Sequence, residues 1–274
     1  MTADVVISKE RFSIHAAKHR LSAELIRPRA ETDNRPMLVF LHEGLGSIAQ
    51  WRDFPEKICA ATGCPALVYD RWGYGASDPL KEPRKPDYLH DEALRSLPEV
   101  LDQCAIEKPI LVGHSDGGSI AIMYAGTYPH EVTGVITEAA HVYVEDVTVE
   151  GIRRAVQVYE STDLKKRLAK FHDNNTELMF RGWADIWLSL EFRNWNIEEY
   201  LPHITCPLLA IQGKDDEYGT PAQVEAIVGK VTGHARASMI DNCGHIPHMQ
   251  AGEKVAAEMV NFISAIIKKR NKAS

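Results

Sequence analysis

Short runs rich in Val, Ile and Leu recur along this chain between longer amphipathic stretches, and that alternation points to a mainly parallel β-sheet joined by crossover helices. The runs fall at residues 37–41, 66–69, 110–112, 134–137, 208–212 and 237–240. Their near-continuous apolarity predicts strands covered on both faces. Two earlier segments, 5–8 and 21–27, predict an antiparallel hairpin leading into the sheet, for eight strands in all. Helices are predicted over 49–62, 89–103, 118–127, 221–231 and 253–269. In the last of these, Val255, Met259, Phe262, Ile263 and Ile266 keep the three- and four-residue spacing of one buried face. The rhythm breaks between 141 and 204, where several helices follow one another with no buried-strand candidate. The expectation is an α/β core over 1–140 and 205–274, with a helical cap over 141–204 lying across one end of the sheet.

Composition narrows the class of function. Hydrophobic residues are 45% and charged residues 25% of the 274, close to the globular average and far from disordered or fibrous chains. The formal net charge of −7, with no long run of Lys or Arg, argues against nucleic acid or an anionic membrane surface as partner. Lys268-Lys269-Arg270 suits a solvated helix C-terminus, where cations complement the dipole. The five cysteines are scattered, odd in number and without C-x-x-C spacing, as expected of a reducing compartment. Met1 to Arg11 has charges and no apolar core, and nowhere do about eighteen apolar residues run together. A cytoplasmic location without membrane insertion is expected.

Chemistry concentrates at four places. Gly113-His114-Ser115-Asp116-Gly117-Gly118 sits directly between a predicted strand and a predicted helix. A nucleophile on such a turn is held in strained backbone geometry, and its neighbours two residues away on each side must lack a Cβ, which Gly113 and Gly117 satisfy. The plainer alternative is a Gly-rich turn carrying an ordinary Ser; the flanking elements and a downstream acid and His weigh against it. Asp241-Asn242-Cys243-Gly244-His245-Ile246-Pro247 follows the last predicted strand and supplies a candidate base, His245, with His248 read instead as a surface or loop residue. Gly213-Lys214-Asp215-Asp216-Glu217 offers three candidate acids that could orient the imidazole, and the residues alone leave a swap among them open. His42-Glu43-Gly44-Leu45-Gly46-Ser47 follows the strand at 37–41, and its glycines allow close approach of backbone to a substrate.

With these motifs in hand the chain resembles the α/β-hydrolase superfamily over almost its whole length. Asp70-Arg71-Trp72-Gly73-Tyr74-Gly75-Ala76-Ser77 also looks like that superfamily's D-x-x-G-x-G-x-S turn. The resemblance implies an α/β-hydrolase fold and an order of nucleophile, acid and base fulfilled by Ser115, Asp216 and His245. The family's spacing of a glycine followed three residues later by the acid selects Asp216. It also implies an oxyanion hole built from the backbone N–H groups of Gly44 and Asp116. A narrower similarity is to the valacyclovirase or biphenyl-hydrolase-like branch, whose nucleophile motif also has Asp after Ser. Carried over, Asp116 would anchor the ammonium of amino-acid esters. Glu43 departs from that branch's usual small residue; it reads equally as a second acidic group at the pocket mouth or as a structural carboxylate that pairs with a nearby Arg or caps backbone N–H groups. Trp183, Trp187, Trp195, Phe180 and Phe192 either line an acyl pocket or form the cap's own core.

The expected activity is hydrolysis of a small carboxylic ester through an acyl-enzyme, with a preference for amino-bearing esters. Thioesterase, lactonase and carbon–carbon bond hydrolase use the same triad and stay open, and a ligand receptor or a cofactor-free dioxygenase is more remote. Haloalkane dehalogenase and epoxide hydrolase need Asp where Ser115 stands. No metal and no organic cofactor is expected, since the sequence has no G-x-G-x-x-G, P-loop or H-E-x-x-H. The expected partner is a small acyl substrate, and a homodimer is one assembly the sequence leaves open.

Overall fold

The computed structural model describes residues 6–28 and 35–273. Val5, where the first predicted strand was to begin, lies outside them. Strands β1 (Ile7–Ala16) and β2 (His19–Pro28) pair antiparallel from Ile7 opposite Pro28 to Ala16 opposite His19. Both are longer than their apolar runs predict. β1 is an edge strand in which Lys9, Glu10 and Arg11 face water and only the alternating Phe12, Ile14 and Ala16 turn toward the core, a pattern that is not a continuous apolar run. The two-residue turn between them puts Ala17 and Lys18 at φ of 48° and 69°, as a hairpin turn of matching twist requires.

The remaining strands are β3 (Leu38–Leu41), β4 (Ala66–Tyr69), β5 (Ile110–His114), β6 (Gly134–Glu138), β7 (Leu208–Gly213) and β8 (Ala235–Ile240). They complete one sheet in the order β1-β2-β4-β3-β5-β6-β7-β8, antiparallel as far as the β2–β4 pair and parallel beyond it. The helices are α1 (Phe54–Thr62), α2 (Tyr88–Asp91), α3 (Leu97–Gln103), α4 (Asp116–Thr127), α5 (Asp146–Ser161), α6 (Leu164–His172), α7 (Thr176–Leu188), α8 (Pro221–Lys230), α9 (Pro247–Gln250) and α10 (Gly252–Ala273). The helix predicted over 49–62 is divided into a 3₁₀ turn, Ile48–Trp51, and α1, because Pro55 is tolerated only in a first helical turn and the chain reverses at Arg52, φ 55°.

Alternation along the buried strands sorts the core into two layers. Val39, Leu41, Leu67, Leu111, Val135 and Ala210 face α3, α4 and α8, whereas Leu38, Phe40, Val68, Val112, Ile136 and Ile211 face α1 and α10. β8 departs from the expectation of two covered faces: Arg236 and Ala237 are exposed, as befits the far edge of the sheet. Between β6 and β7 the chain contributes no strand to the sheet and makes α5, α6 and α7. These rest on the core through named polar ties, among them His172, whose Nε2–H donates to the Leu45 carbonyl at 3.0 Å while its Nδ1 accepts the Gly75 N–H at 3.0 Å. Among the described residues no helix is long and apolar enough to cross a membrane, and the five cysteines are unpaired.

Leu111 is fully buried in β5, between β3 and β6. Leu111→Ala is expected to lower stability by about 2–5 kcal/mol in urea denaturation, while Ala237→Ser on the exposed side of β8 stays within about 0.5 kcal/mol. Equal effects would contradict this division between centre and edge.

Candidate active site

All the parallel strands end at the same edge of the sheet, so the loops after them converge there. Ser115 stands between β5 and α4 at φ 52°, ψ −115°, a backbone conformation that costs a non-glycine residue on the order of 1–3 kcal/mol. Neighbouring glycines make room for the turn: a Cβ at Gly113 would sit on the Gly117 carbonyl, and one at Gly117 on the Leu41 carbonyl at the end of β3. The Ser115 N–H is tied to the Glu138 carbonyl at 2.8 Å, so the turn is pinned to both neighbouring strands. The hydroxyl projects at the N-terminus of α4, where unpaired N–H groups and the helix dipole favour negative charge.

His245 reaches this hydroxyl from the loop after β8, with Nε2 3.0 Å from Ser115 Oγ. On its other side Nδ1–H donates to Asp216 Oδ1 at 2.8 Å, which fixes the tautomer and leaves Nε2 as the acceptor for the serine proton. Asp216 is itself held by the Tyr218 N–H at 2.9 Å and by Gln212 Nε2 at 3.2 Å. The two loops are stitched together by the Asp215 N–H donating to the Cys243 carbonyl at 2.9 Å. Burial alone would pull the His245 imidazole down, but the charge and hydrogen bond of Asp216, with Glu217 and Glu43 behind them, outweigh it and hold the group above its ordinary pKa. For Asp216 burial raises the pKa, yet His245 and the Tyr218 N–H prevail and hold it below the usual carboxylate value. Of the three acids in that loop, Asp216 is the one on the imidazole; Asp215 is exposed, and Glu217 accepts the His245 backbone N–H at 3.2 Å.

The loop after β3 is locked through one carbonyl. The Glu43 oxygen accepts from Arg71 Nη2 at 3.0 Å, from His42 Nδ1 at 2.8 Å and from the Gly46 N–H at 3.1 Å. A trans peptide sends its N–H opposite to its C=O, so the Gly44 N–H is turned away from Arg71. Gly44 borders the same cavity as Ser115 and Asp116. Arg71 is wholly buried, and its Nη2 also donates to the His42 carbonyl at 3.2 Å and lies 3.6 Å from Asp116 Oδ2. This residue sits inside the D-R-W-G-Y-G stretch; a buried arginine leaves no periodic signal, and only that motif could have drawn attention to it.

The cavity over Ser115 has a volume of about 150 Å³. Trp183 and Trp187 of α7 form its roof with Ile152 of α5, whereas Phe180, Phe192 and Trp195 pack among the helices themselves, as in the Phe192–Trp195 stack at 5.2 Å. The five aromatic residues thus divide between lining and core. The contacts bear on three expectations. The Asp116 side chain is 1% exposed, and its Oδ2 accepts the Tyr88 hydroxyl at 2.8 Å and lies 3.6 Å from Arg71, so only Oδ1, buried without a partner, is left for an ammonium. His248 is not a surface residue; it is buried in α9, with Nδ1 3.0 Å from the buried Glu138. Glu43 is not paired with Arg71 through its carboxylate, since only its carbonyl is engaged; Oε2 is shut off from water without a hydrogen-bond partner. Burial pushes the Glu43 carboxyl up to about 7.

The profile of the alpha/beta hydrolase family matches residues 38–258. Among curated proteins the chain is similar to the proline iminopeptidase of Saccharolobus solfataricus, 25% identical over 278 residues and covering 87% of each protein. It is also similar to the 2-hydroxy-6-oxononadienedioate/2-hydroxy-6-oxononatrienedioate hydrolase of Cupriavidus pinatubonensis, 23% identical over 252 residues, covering 82% of this chain and 86% of that one. Among solved structures, proline iminopeptidase from Mycobacterium smegmatis superposes with a TM-score of 0.74 at 18% identity, covering 95% of this chain and all of that one (100%).

Removing the acid gives a direct check on the electrostatics. An NMR titration is expected to place His245 above the ordinary imidazole value of about 6.5, and Asp216→Asn to bring it below, because burial then acts with one opposing charge fewer. An unchanged value in Asp216→Asn would show that the carboxylate does not govern the ring.

Proposed function

The chain belongs to the alpha/beta hydrolase family, and from that premise we propose that it is a serine hydrolase acting on small carboxylic esters through an acyl-enzyme. The observation that carries this reading is the continuous hydrogen-bonded line Ser115 Oγ, His245 Nε2, His245 Nδ1, Asp216 Oδ1, with steps of 3.0 and 2.8 Å. Ser115 Oγ attacks the acyl carbon while His245 Nε2 takes its proton, and Asp216 stabilises the imidazolium. The carbonyl oxygen becomes an oxyanion received by the Gly44 and Asp116 N–H groups, each such donor being worth roughly 2.7–4 kcal/mol of barrier. His245 returns the proton to the departing oxygen as the acyl–oxygen bond breaks. Water then repeats the sequence on the acyl-enzyme, regenerating Ser115 and releasing the acid. Segment 141–204 serves as the cap that roofs the acyl cavity and excludes bulk water.

The lining chooses between substrate classes. The relatives' names are those of a proline iminopeptidase and of a hydrolase of a dioate. Among the described residues around the Ser115 cavity there is no Lys or Arg, while Glu43 and Glu217 border it. A dianion would find no counter-charge there, so a neutral or amine-bearing acyl substrate suits the site better. That favours ester cleavage over carbon–carbon cleavage of dicarboxylates.

Ser115→Ala is expected to lower ester hydrolysis by about 10⁶-fold and to abolish labelling by a fluorophosphonate probe, as loss of a triad nucleophile does. Activity within about tenfold of the parent would remove Ser115 from the reaction. In the parent, kcat/KM is expected to fall as pH drops through the raised His245 pKa, since the protonated ring cannot accept the serine proton.

A further inference from the structure

A second cavity of about 230 Å³ lies beyond Glu43, which borders both cavities together with Ile246. Its polar groups are unusual for an idle void. Glu43 is fixed by its own locked carbonyl and brings to this boundary a carboxylate whose Oε2 has no donor. A Cβ on Gly46 would overlap that oxygen, so a glycine at 46 is what allows the carboxylate to fold over the turn. Facing the cavity from α9 is His248. Its Nδ1 and its backbone N–H are both taken by Glu138, at 3.0 and 2.9 Å, which leaves Nε2 as the free ring nitrogen. Trp51 and Phe171 add aromatic faces to the wall, the Trp51 ring lying 4.6 Å from that of His248. Arg52 is the one Lys or Arg among the described lining residues, and it is exposed.

An unpartnered carboxylate and aromatic side chains together favour a cation. Position says which part of a substrate it belongs to. Ile246 follows His245 directly and borders both cavities, and His245 is the group that protonates the departing oxygen. We propose that the second cavity is the leaving-group subsite, and that Glu43 selects leaving groups carrying a cationic nitrogen, as in esters of amino alcohols. This assignment rests on the serine-hydrolase reading and adds where the positive charge sits. Around Glu43, His248, Arg71 and His245 act as positive charges that lower its pKa and Asp116 as a negative one that raises it; burial is the largest influence and holds the carboxyl near 7, so a bound cation draws off its proton.

The test compares two esters of one acyl group, with a 2-(trimethylammonio)ethyl or an uncharged 3,3-dimethylbutyl leaving group of the same shape. The parent is expected to favour the charged ester by at least about tenfold in kcat/KM, increasingly as pH rises through Glu43's pKa of about 7. In Glu43→Gln the ratio should fall to within about threefold of one, and Glu43→Asp, which keeps the charge, should retain much of it. A ratio near one in the parent, a ratio unmoved by Glu43→Gln, or one abolished only by Glu217→Gln would overturn the assignment. A readout independent of turnover separates this failure from failure of the hydrolase reading: calorimetry on Ser115→Ala with the free quaternary alcohol. Binding lost in the added Glu43→Gln change supports the subsite even if neither ester is cleaved; no binding to the folded protein overturns it.

Discussion

The site depends on how closely backbone can approach backbone where β5 turns into α4. Two carbonyls, those of Leu41 and Gly117, occupy the places where side chains at 117 and 113 would otherwise begin. That closeness fixes the angle at which α4 leaves the sheet, and with it the direction of the Ser115 hydroxyl and of the first N–H groups of the helix. The strain at Ser115 is offset by its tie to the Glu138 carbonyl and by the parallel ladder on each side of β5. A hydroxyl held this way is ordered before any substrate arrives.

A buried polar chain then couples the parts of the site that come from distant sequence. Trp187 Nε1 in α7 donates to the Tyr88 hydroxyl at 2.9 Å, Tyr88 donates to Asp116 at 2.8 Å, and Arg71 links Asp116 to the carbonyls of His42 and Glu43. Both proposed oxyanion donors are therefore oriented by one guanidinium, and the helical excursion reaches them through the Trp187 indole at Tyr88, the Trp183 indole against Gly44 and His172 at the Leu45 carbonyl. Burying Arg71 and Asp116 is costly in desolvation, and their contact at 3.6 Å is long for an ion pair. What the arrangement supplies is position: the carbonyl of Glu43 accepts three donors and cannot rotate.

Imidazoles recur around this chain of contacts for a similar reason. His42 and His114 are buried and held well below the ordinary imidazole value, mainly by desolvation, so they act as neutral rings with one fixed donor. His114 Nε2–H holds the His245 carbonyl at 2.7 Å, and His141 Nε2–H holds the Tyr218 carbonyl at 3.0 Å. His245 differs from them in having a carboxylate on the ring itself, and that contact is what lifts it above the others.

Much of this was legible in the residues. Strand runs, the Gly113 to Gly118 turn, the loop order of Ser115, Asp216 and His245, and the helical excursion all leave local signatures, because each is a matter of periodicity, of glycine at fixed offsets, or of position after a strand. What those signatures do not carry is contact between residues far apart in the chain. Whether Asp116 shows its charge to a ligand depended on Arg71 and Tyr88 lying against it; whether His248 is surface or core depended on Glu138 meeting it from β6; whether Glu43 is paired depended on Arg71 choosing a carbonyl over a carboxylate. The sequence by itself determined the sheet and which side chains crowd its carboxyl edge. Only the tertiary structure decided which of those charges are satisfied, because satisfaction of a buried polar group is set by its neighbours in space.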